Sequence, residues 1–180
     1  MAQNITEKRG SNVLEWYESL IFSIFVVIAL FSFVFRITLV YGSSMVPTLA
    51  EQDRLIVWAT GYEPTRGDVV ILDGYIEYGK PLVKRIIAVA GDTMDIDFDA
   101  GTVSVNGEVL DEPYIAEPTR LEGDVAFPLT VPEGSVFVMG DNRNGSTDSR
   151  NSAVGCIDER DVLGKAVFRI LPFDKIGVIS

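Results

Sequence analysis

The 180 residues contain no histidine and a single cysteine, Cys156. The first absence excludes any Ser-His-Asp or Cys-His machinery built from this chain alone, and with it every metal site that needs an imidazole. The second excludes an internal disulfide, so the fold must stand on its core. Basic side chains are also few: 15 Lys and Arg against 26 Asp and Glu give a formal net charge of −11. No basic run occurs, which argues against nucleic acid as a partner, because phosphate binding requires clustered cations. Internal repeats, low-complexity tracts and a second long apolar run are absent too. If the chain performs nucleophilic catalysis, its base must be a lysine or a carboxylate. No metal or other cofactor is expected.

Apolar residues, in contrast, are plentiful, at 47% of the sequence. Leu20 to Phe35 carries no charge and only two serines. With Trp16 and Tyr17 before it and Arg36 after it, the segment reaches the roughly 20 residues a bilayer requires. A core helix would show a polar stripe, and a cleaved signal peptide would have a shorter apolar run and a small-residue cleavage site. The expectation is an uncleaved transmembrane helix over residues 16–36, a cytoplasmic tail over 1–15 and an extracytoplasmic domain over 37–180. Lys8 and Arg9 favour an inside N-terminus, against nearby Glu7, Glu15 and Glu18.

Beyond residue 37 the pattern is β. Strands are predicted at 55–59, 69–72, 82–91, 135–139 and 167–171. Thr102–Val105 and Glu108–Leu110 flank Asn106-Gly107, a two-residue hairpin turn. Residues 111–132 read as a loop or excursion rich in Pro and acid, and about 92–132 as a smaller inserted β subdomain. The fold class is therefore mainly β: one N-terminal transmembrane helix, then an antiparallel sheet or half-open barrel.

Within the strand at 82–91, one face carries Leu82, Lys84, Ile86 and Ala88, with Lys84 its only charge. A free lysine is neutral in only about one part in 2,000 at pH 7. Burial would favour the neutral amine, which can accept a proton. The competing reading is a lysine that packs its stem and keeps its head in water. Two further patches stand out. Gly42-Ser43-Ser44-Met45-Val46-Pro47 puts a serine at a bend, and Gly140 to Arg150 holds eleven residues without an apolar side chain. Read singly, each is ordinary linker or loop.

Together the patches are specific. Ser-Met-x-Pro-Thr-Leu follows the apolar segment, Arg66-Gly67-Asp68-Val69-Val70 comes next, then Lys-Arg-Ile-Ile-Ala-Val-Ala-Gly-Asp, and last Gly-Asp-Asn-Arg-x-x-Ser-x-Asp-Ser-Arg. In this order the set resembles the bacterial type I (leader) signal peptidases over residues 15–172. The resemblance implies a Ser-Lys dyad, with Ser44 as nucleophile and Lys84 as general base. It implies that Ser146 orients the lysine amine, that the Ser44 N–H is one oxyanion donor, and that Asp141 with Arg85 and Asp148 with Arg150 are supporting pairs. By position, Val40, Met45, Leu49, Leu82 and Val83 would line shallow apolar pockets, and each also fits plain core. The implied partners are the lipid bilayer and the signal peptides of exported preproteins, cut after small residues of Ala-X-Ala type. Three features depart from the pattern. Gly42 stands where some members carry a serine that completes the oxyanion hole, Asn144-Gly145 replaces an acidic pair, and Cys156 has no partner. A specialised relative with narrow substrates and a non-catalytic anchored β domain are the alternatives.

Overall fold

The computed structural model describes residues 2–74 and 79–179, with side chains for residues 13–29, 31–74 and 79–179. It opens with one helix, α1 (Ala2–Val34), followed by twelve strands among the described residues. From Val13 to Val34 the helix is long and apolar enough to cross a membrane, and none of that stretch is buried against the rest of the chain. A core helix would be covered on one side, so the exposure of Phe22, Phe25, Ile28 and Phe31 sets this one apart. Two of its serines bond within the helix: Ser23 Oγ donates to the Ser19 carbonyl at 2.8 Å and Ser19 Oγ to that of Glu15 at 2.9 Å.

The helix differs from the expected segment at both ends. Residues 2–15, expected as a polar tail, continue the same helix. Phe35 and Arg36, expected as its end, already belong to β1 (Phe35–Leu39). The reason is pairing: Arg36 stands opposite Val57 and Ile37 opposite Ile56, in an antiparallel ladder with β2 (Arg54–Trp58). An apolar count cannot separate a helix end from a β-branched edge strand that follows it directly.

The main sheet is antiparallel, in the order β1, β2, β11 (Val162–Leu171), β3 (Val69–Leu72), β4 (Leu82–Val89), β9 (Ser135–Met139), β10 (Ile157–Asp158). β12 (Gly177–Val178) also pairs with β11. The final strand, expected from 167, starts five residues earlier, because Gly164 lets it bend. At φ +147°, a Cβ there would overlap the Trp58 carbonyl on β2. The strand expected over 82–91 ends at Val89, and the chain turns at Gly91, with φ +81°. β5 (Thr93–Asp97) then founds a second sheet with β6 (Thr102–Val105), β7 (Glu108–Val109) and β8 (Leu129–Thr130). Met94, Ile96, Val103, Val105 and Val131 bury its inner face against Ile87, Phe137 and Met139 of the main sheet.

β4 is central in this arrangement. Val70, Leu72, Ile86, Val136 and Val138 form one core cluster on one face. Lys84 stands opposite Val70 in the β3–β4 ladder, so its stem joins this apolar face. A register shift between Ile86 and Ala88 turns Ala88 to the cluster of the second sheet, away from the face it was expected to share.

Candidate active site

Ser44 starts a turn of residues 44–48, between β1 and β2. Two apolar side chains pin that turn: Met45 and Leu49 sit in the core beside Val40, and the Leu49 N–H donates to the Met45 carbonyl at 2.8 Å. These three were expected to line apolar pockets, yet none is more than 2% exposed. They form the floor under the turn, which is the core reading. Leu82 and Val83, at the start of β4, are half-buried and remain accessible. Sinking Met45 leaves Ser44 half-exposed above it.

Lys84 meets this serine from β4. Its Nζ donates to Ser44 Oγ at 2.8 Å and to the Val83 carbonyl at 3.0 Å, and the residue is only 2% exposed. The snorkelling alternative is thus not what the fold adopts. Burial pulls the Lys84 amine down from 10.5 to about 8, against the opposing pull of Asp148 and Asp141, which favour the charge. About one amine in ten is then neutral at pH 7. A neutral amine within hydrogen-bond reach of a hydroxyl can take its proton.

Two buried ion pairs frame the contact. Asp141 accepts from Arg85 Nε at 2.9 Å and from Nη2 at 2.8 Å, and both residues are buried. Its Oδ2 also accepts from Thr48 Oγ1 at 2.5 Å, tying the serine turn to the pair. The neighbouring Asn142 N–H donates to the Ser44 carbonyl at 3.0 Å, and its side-chain amide donates to that of Ser43 at 3.1 Å. In the second pair, Arg150 grips Asp148 through Nε at 2.8 Å and Nη2 at 2.9 Å. Asp148 in turn accepts from the Gly140 N–H at 3.0 Å, closing the loop back on the end of β9. Each carboxylate is therefore bound by a guanidinium and a further donor, the condition for keeping a charge buried.

Ser146 lies close by in a different state. Its hydroxyl is buried and has no hydrogen-bond partner, so the bond to the lysine amine implied by the resemblance is not made here. It packs across Gly140 from Ser44: a Cβ on Gly140 would overlap both Ser146 Oγ and the Ser44 carbonyl oxygen. Gly42, with φ +78°, holds a left-handed conformation that disfavours a side chain. Among the described residues no group of His, Cys, Asp or Glu could hold a metal ion.

The family model described as signal peptidase, peptidase S26, matches residues 13–171. This chain belongs to the peptidase S26 family. It is accordingly a serine peptidase, a hydrolase. It is 39% identical to Signal peptidase I of Bacillus licheniformis, across 96% of this chain and 98% of that protein. To Signal peptidase I S of Bacillus subtilis it is 33% identical, across 97% of each. A crystal structure of a signal peptidase I from Enterococcus faecalis V583 is 30% identical, with a TM-score of 0.46, across 59% of this chain and 98% of that one.

The contacts around Ser44 and Lys84 bring forward residues that sequence reasoning passed over. Thr48, Gly140, Asn142 and Arg143 all lie inside the quoted motifs but were given no role. Their part depends on long-range contacts. Thr48 and Asp141, for example, are 93 positions apart. Tyr114 and Glu112 lie in the excursion between β7 and β8 and carried no signal at all.

Proposed function

We propose that this chain is a membrane-anchored serine endopeptidase that removes signal peptides from exported preproteins after small residues. Ser44 is the nucleophile and Lys84 the general base. The observation that carries this reading is the 2.8 Å contact between a buried amine and a half-exposed hydroxyl. As Ser44 Oγ attacks the scissile carbonyl carbon, its proton passes to neutral Lys84 Nζ. The oxyanion is held by the Ser44 N–H, and Lys84 returns the proton to the departing amine. Lys84 then takes a proton from water, whose attack releases the acyl group from Ser44. Arg85 with Asp141 and Arg150 with Asp148 hold the two motifs around the dyad. Ser146 is assigned to orienting the amine once substrate is bound, when apo hydrogen bonds tighten.

The substrate docks as an added strand. The β9 ladder reaches β4 only at Arg85, opposite Met139, so Leu82–Lys84 has no strand on that side among the described residues. An extended peptide can pair there, with Leu82 and Val83 beside its small side chains. The helix from Val13 to Val34 anchors the chain with its N-terminus in the cytoplasm, and the β domain meets signal peptides on the outer membrane face.

The test is cleavage of a purified preprotein by the full chain in detergent. Loss of a defined cut after a small-x-small site in both Ser44→Ala and Lys84→Ala, with Lys80→Ala unaffected, supports the reading. Cleavage that survives Lys84→Ala refutes it.

A further inference from the structure

The excursion at residues 111–120 reaches back to the base strand. Tyr114 lays its ring over the Arg85 guanidinium, 3.9 Å from the ring centre to Cζ. Tyr114 OH donates to Glu112 Oε1 at 2.9 Å. Glu112 also accepts from Arg143 Nη1 at 2.8 Å and from Nη2 at 2.5 Å, and Arg143 Nη1 donates to Thr119 Oγ1 at 2.9 Å. Arg143 is 1% exposed, two residues beyond Asp141. The segment is therefore clamped on the loop that carries Asp141, and it delivers one aromatic face to Arg85.

Arg85 is the hub of this arrangement. Its edge is committed to Asp141 and, through Nη1 at 2.7 Å, to the Gly67 carbonyl. Edge bonds direct a guanidinium within its plane, and contacts on its faces govern its tilt. An aromatic ring on one face resists tilting and attracts the cation through its quadrupole. Any tilt would reach both partners of the dyad. Lys84 is the chain neighbour of Arg85, and Ser44 hangs on Asp141 through Thr48 and on Asn142 through its own carbonyl.

We infer that Tyr114 is a positioning residue for peptide cleavage, and that its ring, through Arg85 and Asp141, sets the alignment of Ser44 with Lys84. This rests on the Ser44–Lys84 reading above. Tyr114 touches neither of those two residues in the contacts described, so its effect is indirect and falls on turnover more than on substrate binding.

The electrostatic consequence can be read separately. Among the described residues, the charged groups that act on Lys84 are Asp148, held by Arg150, and Asp141, held by Arg85 with Arg143 nearby. Loosening Arg85 leaves Asp141 less neutralised. The charged amine is then favoured, and the rising limb of the pH profile moves to higher pH.

The test places phenylalanine and its difluoro and pentafluoro analogues at position 114 of the full chain, assayed on a preprotein in detergent. Fluorination drains the ring face while nearly keeping its shape. We expect kcat to fall stepwise, by about three- to tenfold from phenylalanine to pentafluorophenylalanine, with KM nearly constant and the rising pH limb displaced upward. Tyr114→Phe itself should stay within about threefold of the parent, since it keeps the face and loses one hydrogen bond. A flat series overturns the inference, as does a Tyr114→Phe loss as large as that of the pentafluoro variant. Because each variant is compared with Tyr114→Phe, and parent cleavage with Ser44→Ala, failure of the dyad itself appears as a separate result.

Discussion

Replacing Lys84 by methionine isolates the energetic cost of burying the proposed base. An amine that ionises near 8 in place of 10.5 carries about 3 kcal/mol against its charged form in the native state. Below about pH 8 both native and unfolded chains hold the proton, so the native state bears the whole penalty. As pH rises from about 8 to 10.5 the native amine deprotonates first. The unfolded state then binds more protons, and stability climbs. Methionine has similar length and no proton to lose. The stability of Lys84→Met relative to the parent should therefore shrink by about 2–3 kcal/mol between pH 6.5 and pH 10.5. Every other titrating group cancels in that difference, because it is present in both proteins. The assay is urea unfolding in detergent, followed by tryptophan fluorescence from Trp58 on β2. A difference that is flat across this range refutes the reasoning. It would mean that the amine is hydrated, and that its contact with Ser44 is made by an ordinary charged lysine.

On the kinetic side, kcat/KM for preprotein cleavage should rise close to tenfold from about pH 6 to 7 and level off above about 8, read from initial rates across buffers of constant ionic strength. With no histidine in the chain, the limb is assigned to Lys84, and a limb near 6.5 would contradict an amine lowered only to about 8. Gly140→Ala should destabilise the chain by about 2–3 kcal/mol and sharply reduce cleavage, because the added methyl meets Ser146 and the Ser44 carbonyl together. Thermal unfolding and the cleavage assay, run side by side, read the two effects, and wild-type behaviour in both would contradict the close approach across Gly140.

The sequence by itself determined the class of chemistry. Without histidine, a peptidase must find its base elsewhere, and one lysine on the apolar face of a β-branched strand is a local feature that anyone reading the chain can find. Motif order gave the family, and period-two patterning with the Asn-Gly turn located most of the strands. Local patterns could not tell where α1 yields to β1, since Phe35 and Ile37 suit a bilayer and a sheet equally. Tertiary structure decided that boundary through the Arg36–Val57 ladder. It also decided which apolar residues near the site are floor: Val40, Met45 and Leu49 vanish into the core, whereas Leu82 and Val83 stay at an open strand edge. Above all, it decided the environment of Lys84. Desolvation depends on every chain segment that displaces water from the amine, and the opposing carboxylates come from a loop more than fifty residues away. A property summed over distant segments is invisible to any window of sequence, which is why the ring of Tyr114 on Arg85 could be seen only in the folded chain.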